Sequence, residues 1–181
     1  ALSVLDVAGA PAQTAKLVKS GDTVVVIGGG GKSGLLCLYE AKKRAGGTGK
    51  VICIGGSEKS TDRARKLGLA DEYFAADATD AIGIYNKIME LTDGKLADVV
   101  INCVNIENTE MASILSCKDD GTVYFFSMAT SFTKAALGAE GVGKDVNMIV
   151  GNGYCKGHAA ISLQVLRECE ALKNLFAEMY T

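Results

Sequence analysis

Apolar positions in this chain fall into short runs rich in Val and Ile, separated by longer stretches in which apolar residues recur at helical spacing. Most of the short runs lack the alternation of a half-exposed sheet, so they indicate parallel strands covered on both faces. The predicted strands are residues 23–28, 50–55, 72–75, 98–103, 122–127 and 146–150. The predicted helices are residues 13–19, 32–45, 61–67, 78–92, 109–116 and about 159–179.

Strands and helices alternate along the chain almost without exception. Six strands joined by helical crossovers predict an α/β fold with a doubly wound, parallel, six-stranded sheet of the Rossmann type, in the strand order 3-2-1-4-5-6. The 181 residues contain no internal repeat, low-complexity tract or linker, so we expect a single domain. Because the chain begins at Ala1 without methionine, we expect this domain to be cut from a longer polypeptide.

The first strand runs directly into four consecutive glycines, Gly28 to Gly31, and then into a helix-forming segment. Such a turn brings bare backbone N–H groups and the positive end of a helix dipole to one point, where a pyrophosphate is the usual anion. The sequence therefore predicts a dinucleotide-binding domain over residues 1–181. The residues predicted to hold the pyrophosphate are Gly28, Gly31, Lys32, Ser33 and Gly34.

Two features of this turn remain open, the glycine register and the role of Lys32, and two alternative interpretations are disfavoured. The glycines fit both Gly28-x-x-Gly31-x-x-Gly34 and a fingerprint that begins at Gly29, so the register is ambiguous. Lys32 can add charge to the site or can be an exposed lysine of the turn. A P-loop is disfavoured, because that motif requires a glycine at the position of Val26, within the strand. A flexible glycine loop is disfavoured by the strand and helix that flank the turn.

Composition excludes several other functions. The net charge is −2 with scattered basic residues, and aromatic residues make up 6% of the chain, so we expect no nucleic-acid partner. No apolar run approaches the roughly 20 residues that a membrane span needs, and we expect no membrane partner. The six cysteines form no Cys-x-x-Cys pair, so we expect neither a disulfide framework nor a metal site, and a reducing cytoplasm as the location.

The end of the second strand bears on the choice of coenzyme. An acidic residue there usually binds the adenosine ribose diol, but this strand ends at Gly55, and no carboxylate stands at its tip. Ser57, Lys59 and Arg63 can instead accept a 2′-phosphate. Glu58 can turn inward to serve the diol, and the two cations can be solvated helix residues. The pattern favours NADP(H) and leaves NAD(H) open.

The ends of the other strands give the remaining candidate site residues, on grounds of topology rather than motif. Asp77, just beyond the third strand, is expected to border the adenine. Asn102 and Val104 follow the fourth strand and are expected near the nicotinamide ribose. Ser127 and Met128 follow the fifth strand and are expected to flank the nicotinamide.

Candidate catalytic residues are scarce. His158 is the only histidine, so a Ser-His-Asp triad or a site with several histidine ligands is difficult to build. Tyr39 and Lys43 have the Tyr-x-x-x-Lys spacing of short-chain reductases, but they lie on the first crossover helix, away from the predicted nicotinamide. We therefore expect the residues that orient a small-molecule substrate to lie outside this chain.

Four stretches resemble the coenzyme domain of medium-chain dehydrogenases and reductases. They are residues 20–24 leading into the glycine turn, 64–71, 97–102 and 120–123. This resemblance implies a Rossmann domain that binds a nicotinamide coenzyme, with substrate contacts supplied by a second domain. It also implies that this chain alone is inactive.

Within that family, residues 30–38 and 150–154 look most like an amine dehydrogenase of lysine fermentation. That resemblance implies oxidative deamination at carbon 3 of a diamino acid with NAD, which conflicts with the preference suggested by Gly55 and Lys59. The alternatives are the coenzyme domain of an alcohol dehydrogenase or quinone reductase, or a dinucleotide-sensing module without catalysis. An exposed edge at the sixth strand predicts a homo-oligomer that pairs across a two-fold axis.

Overall fold

A computed structural model describes residues 2–151 and 153–180; Asn152, within the stretch 150–154 quoted above, lies outside the described residues. Within the described part, six strands form one sheet in the order β3-β2-β1-β4-β5-β6, and every neighbouring pair is parallel. The strands are β1 Thr23–Ile27, β2 Lys50–Gly55, β3 Glu72–Ala75, β4 Ala97–Asn102, β5 Cys117–Phe125 and β6 Asn147–Val150. The predicted fold class and strand order are therefore confirmed.

The helices cover both faces of this sheet. They are α1 Leu2–Leu5, α2 Gly9–Leu17, α3 Lys32–Ala45, α4 Glu58–Lys66, α5 Ala81–Leu91, α6 Glu110–Ser116, α7 Phe132–Val142, α8 His158–Glu168 and α9 Glu170–Tyr180. Helix α3 has the predicted bounds. No described helix combines the length and the apolar character needed to cross a membrane.

Alternate residues of each central strand enter two separate cores, as expected for a sheet covered on both faces. Val24 and Val26 pack with α2, α3, α8 and α9, whereas Val25 and Ile27 pack with α5, α6 and α7. All four side chains are almost completely buried. The apolar run in β1 thus reflects burial on two faces, and this burial fixes the position from which the glycine turn leaves the sheet.

Several predicted boundaries were wrong, two of them because local capping overrides hydrophobic spacing. Helix α4 begins at Glu58 rather than residue 61, since Ser57 forms a capping box with Ser60. Helix α5 begins three residues later than predicted, because the Asp80 side chain caps it through Gly83 N–H. The final helix is broken at Cys169, where the backbone is extended with φ −123° and ψ 92°.

Two helices were not predicted from the sequence. Helix α7, capped by Ser131 and ended by Gly143 in the left-handed region, is built from small residues whose apolar spacing is weak. Helix α1 is a single turn of four residues. Strand β5 also begins earlier than predicted, because Cys117 pairs with Ala97 before a register shift.

Candidate functional site

The sheet reverses its strand order between β1 and β4, which opens a crevice at the carboxyl ends of these strands. On one side, Gly28 N–H and Gly29 N–H both donate to Ile54 O of β2, at 2.8 and 3.0 Å. On the other, Cys103 N–H donates to Ile27 O at 2.9 Å. The glycine turn is therefore held between β2 and β4, at the position where α/β proteins bind ligands.

Steric packing within the chain explains several glycines of this turn. Gly28 has φ +84°, a left-handed conformation that side chains disfavour. A Cβ atom on Gly34 would overlap Gly28 O, and one on Gly30 would overlap Ser60 O of α4. Glycine at these positions lets α3 and α4 approach the turn backbone closely.

Gly31 has no such packing reason to be glycine. It precedes α3 with an ordinary extended backbone, φ −87° and ψ 177°, and a Cβ atom there would have Gly28 O as its nearest neighbour, at 3.4 Å. Apart from that carbonyl, the place of the missing side chain is open, at the residue that immediately precedes α3. Both fingerprint registers that the sequence leaves open include Gly31 and Gly34. Gly34 permits close packing of α3 against Gly28 O, whereas Gly31 leaves space beside the start of α3.

The first turn of α3 is suited to an anion. No side chain of the described residues caps this helix, whereas α4, α5 and α7 are capped by Ser57, Asp80 and Ser131. The first N–H groups of a helix have no acceptor within it, and they carry the positive end of the helix dipole. The N–H groups of Lys32 and Ser33 are thus available beneath the open space at Gly31.

The Lys32 side chain is directed away from this space. Its ammonium forms an ion pair with Asp6 at 2.8 Å and lies 5.4 Å from the centre of the Tyr180 ring. Lys32 therefore joins the glycine turn to both ends of the chain. Ser33, by contrast, is almost completely buried in the first turn of α3.

A pocket of about 350 Å³ lies beside the glycine turn, where β1, β2, β3 and β4 end. Its wall is mainly apolar and includes Gly28, Gly56, Val104 and Ile106, with the carboxylate of Asp77 at the rim. The Asp77 carboxylate accepts hydrogen bonds from Thr79 N–H at 2.9 Å and Thr79 Oγ1 at 2.8 Å, which lower its pKa. Three predicted site residues, Gly28, Asp77 and Val104, therefore meet in one pocket.

The predicted 2′-phosphate residues lie outside this pocket. The Ser57 hydroxyl accepts from Ser60 N–H at 3.2 Å as the cap of α4. Lys59 and Arg63 line a separate groove of about 630 Å³ between α4 and Leu175 of α9. Arg63 Nη1 also donates to Gly30 O at 2.7 Å, so this guanidinium supports the glycine turn.

Asn102 is completely buried, and its side chain holds the loop after β4 in place. Its Oδ1 accepts from Val104 N–H at 3.0 Å. Its Nδ2 donates to Thr109 Oγ1 at 2.9 Å and to Ser113 Oγ at 3.0 Å, both near the start of α6. Asn102 therefore does not face the pocket but positions Val104, which does.

The loop after β5 lies at the same edge of the sheet. Ser127 is buried, and its hydroxyl accepts from Ala129 N–H at 3.1 Å, whereas Met128 is 87% exposed. Thr130 Oγ1 is buried and has no hydrogen-bond partner among the described residues. The buried Glu110 carboxylate accepts from Ser131 N–H at 2.8 Å and ties this loop to α6.

Comparison with known proteins identifies the family. Residues 33–150 match the family described as zinc-binding dehydrogenase. The chain belongs to this family. It is 58% identical over 180 residues, which is 99% of its length, to the L-erythro-3,5-diaminohexanoate dehydrogenase of Acetoanaerobium sticklandii. It is 54% identical over the same share to the enzyme of that name from Fusobacterium nucleatum. The chain spans 52% of each, about half the length of these curated relatives.

A solved structure supports the fold of this zinc-binding dehydrogenase family member. A mycobacterial protein, solved in complex with NADPH, superposes with a TM-score of 0.69 at 21% identity. The match covers 94% of this chain and 53% of that one. At this identity the likeness shows the shared Rossmann fold alone.

The zinc of the family name does not fit the residues of this chain. Within residues 2–151 and 153–180, no group of three or more His, Cys, Asp or Glu side chains is arranged to hold a metal ion. His158 stacks edge-on against Tyr154, with ring centres 5.0 Å apart. A catalytic zinc needs three protein ligands and an open position, and the described residues of this chain do not provide such a ligand set.

Three residues that shape the site were missed from the sequence. Thr109, at the N-cap of α6, and Ser113, four residues later, gave a signal in the sequence, since polar residues at this spacing can bind a common partner. Thr79 follows Asp77 at the spacing of an Asx turn. Neither pattern shows from the sequence alone which residue is bound. Asn102 comes into contact with Thr109 and Ser113 only when the β4–α6 connection is folded.

Proposed function

We propose that this chain is the dinucleotide-binding domain, residues 1–181, of an L-erythro-3,5-diaminohexanoate dehydrogenase of lysine fermentation. The observation that carries the proposal is the 58% identity over 99% of the chain to a curated enzyme of that name. In the proposed reaction, the substrate, water and the oxidised coenzyme give 5-amino-3-oxohexanoate, ammonium, the reduced coenzyme and a proton. The C3–N bond is broken, and carbon 3 loses a hydride.

The residues of this chain bind and orient the coenzyme in this proposal. Gly31 and the N–H groups at the start of α3 would hold the pyrophosphate, and the pocket of Asp77 and Val104 would hold the adenosine. The loop of Ser127 and Met128 would hold the nicotinamide, and the chemistry that the coenzyme would supply is hydride acceptance. The support is the uncapped helix, the open space at Gly31 and the pocket beside it.

Binding without turnover is the first expected result. At about 100 times its dissociation constant, NADH or NADPH stabilises a protein by about 2.7 kcal/mol. For a domain of this size that corresponds to a rise in melting temperature of roughly 5–10 °C. Thermal melts of the 181-residue chain should show this rise, and an absorbance assay with the diamino acid should show no turnover. Turnover by this chain would contradict the proposal that the catalytic residues lie elsewhere.

Coenzyme preference is the second expected result, with NADP(H) proposed over NAD(H). Lys59 lines the separate groove rather than the adenosine pocket, but it stands only three residues after Gly56 of that pocket's wall. It is exposed, one helical turn before Arg63, and forms no ion pair among the described residues. A charge-assisted bond from Lys59 to a 2′-phosphate is worth about 1.5 kcal/mol, or roughly tenfold in affinity. Calorimetric titration of Lys59→Ala should therefore show a tenfold loss for NADPH and no change for NADH.

Two variants on the same helix are the controls for Lys59→Ala. Arg63→Ala should weaken both coenzymes, because it releases Gly30 O in the shared pyrophosphate turn. Lys66→Ala, at the far end of the same groove, should weaken neither. Equal losses for NADH and NADPH in Lys59→Ala would remove the proposed role of Lys59.

The alternatives are the coenzyme domain of an alcohol dehydrogenase or quinone reductase and a sensing module without catalysis. Profiling the intact protein against diamino acids, alcohols and quinones separates these alternatives.

A homo-oligomer is proposed because β6 is an edge strand with Asn147 and Val150 exposed. A cytoplasmic location is proposed because all six cysteines are free.

A further inference from the structure

Two thiols meet between α3 and the end of β4. Cys37 Sγ and Cys103 Sγ are 3.8 Å apart, although the residues are 66 positions apart in sequence. Cys37 is completely buried, whereas Cys103 is only partly buried. The other four cysteines form no thiol–thiol contact of this kind among the described residues. The thiols of this pair, which we call the α3–β4 thiol pair, are assigned no contact with the coenzyme in the proposed function, where Cys103 contributes only its backbone N–H to the glycine turn.

We propose that the α3–β4 thiol pair is a reversible oxidation site that forms a disulfide when the protein meets a hydroperoxide and thereby weakens dinucleotide binding. In the first step, the Cys103 thiolate attacks one peroxide oxygen and the O–O bond breaks, giving a sulfenic acid and a hydroxide or alkoxide. In the second, the Cys37 sulfur attacks the Cys103 sulfur and water leaves. Two thiols and one hydroperoxide thus give one disulfide, one alcohol or water, and one water.

The order of these steps follows from the environments of the two thiols. Burial raises the pKa of Cys37 well above its usual value, so Cys37 remains protonated and shielded until its partner is oxidised. Cys103 is the partly exposed member and meets the oxidant first. Closing the pair requires the sulfur atoms to approach from 3.8 Å to about 2.05 Å. Cys103 lies just beyond the last residue of β4, and this approach has to displace it from that position.

The link to ligand binding rests on the proposed function. Cys103 N–H donates to Ile27 O at 2.9 Å, and the Cys103 carbonyl carbon lies against Gly28. The next residue, Val104, lines the pocket assigned to adenosine. A disulfide that draws Cys103 toward α3 therefore shifts one wall of the pocket and the floor of the glycine turn. We expect NADH affinity to fall at least tenfold.

The test oxidises the chain with hydrogen peroxide and maps its peptides without reduction. The expected result is a 37–103 disulfide-linked peptide, a loss of two hydrogen atoms in the intact mass, and reversal by dithiothreitol. Cys37→Ser and Cys103→Ser should lack this peptide, and Cys155→Ser should retain it. A stable sulfinic acid at Cys103, or pairing of Cys103 with Cys155, would overturn the proposal.

NADH titrations of the reduced and oxidised protein test whether the disulfide weakens dinucleotide binding. Weaker binding after oxidation, restored by dithiothreitol and absent in Cys103→Ser, supports the coupling. Unchanged affinity in a protein whose disulfide has been mapped contradicts it. If the reduced chain binds neither coenzyme, the proposed function fails, while the peptide map still decides whether the thiol pair closes.

Discussion

Gly31→Ala is expected to weaken dinucleotide binding at least about 100-fold and to leave the fold intact. The new Cβ atom enters the open space over the start of α3, where a pyrophosphate must approach the N–H groups. Losing this approach should cost at least about 2.7 kcal/mol, or about 100-fold in affinity. The cap position itself costs up to about 1 kcal/mol when Gly becomes Ala. NADH fluorescence titration and a thermal melt measure both quantities.

Two other glycines provide the controls for this experiment. Gly34→Ala should lose the fold as well as binding, because its Cβ atom would overlap Gly28 O. Gly47→Ala should change neither, since a Cβ atom there has no neighbour within 4 Å. If Gly31→Ala binds NADH as the parent does, the pyrophosphate does not lie at the start of α3, and the central assignment of the site is wrong.

The sheet was predictable because each strand is buried on both faces, which leaves a dense Val and Ile run in the sequence. The strand order followed from the alternation of six strands with helical crossovers, which is typical of the doubly wound fold. Helix α7 was missed because its packing depends on small residues, Ala135 and Ala139, that carry little hydrophobic signal. The break at Cys169 was missed because no glycine or proline marks it.

The candidate site was predictable where a local motif determines it and not where tertiary contacts do. The glycine turn belongs to the first kind, since the strand, the turn and the helix are consecutive in sequence. Arg63 belongs to the second, because its bond to Gly30 O spans 33 residues. Lys32 does as well: its ion pair with Asp6 depends on how the first residues of the chain pack against α3. Charge in a motif therefore does not show where a long side chain points.

Asn102→Leu is expected to destabilise the protein by about 3 kcal/mol, because the change leaves the N–H of half-buried Val104 without its acceptor and removes the bonds to Thr109 and Ser113. For a domain of this size the melting temperature should fall by roughly 6–12 °C. NADH affinity should fall as well, since Val104 lines the pocket and Asn102 fixes its backbone. Thermal melts and coenzyme titrations of the same preparation measure the two effects together.

Asn105→Leu is the matched control for Asn102→Leu, because it makes the same chemical change at an exposed position of the same loop. Surface substitutions of this kind usually change stability by less than about 0.5 kcal/mol. A melting temperature in Asn102→Leu as high as in Asn105→Leu would contradict the role of the Asn102 network. A lower melting temperature with unchanged NADH affinity would separate the two roles: Asn102 would then stabilise the β4–α6 connection without positioning Val104 for the coenzyme.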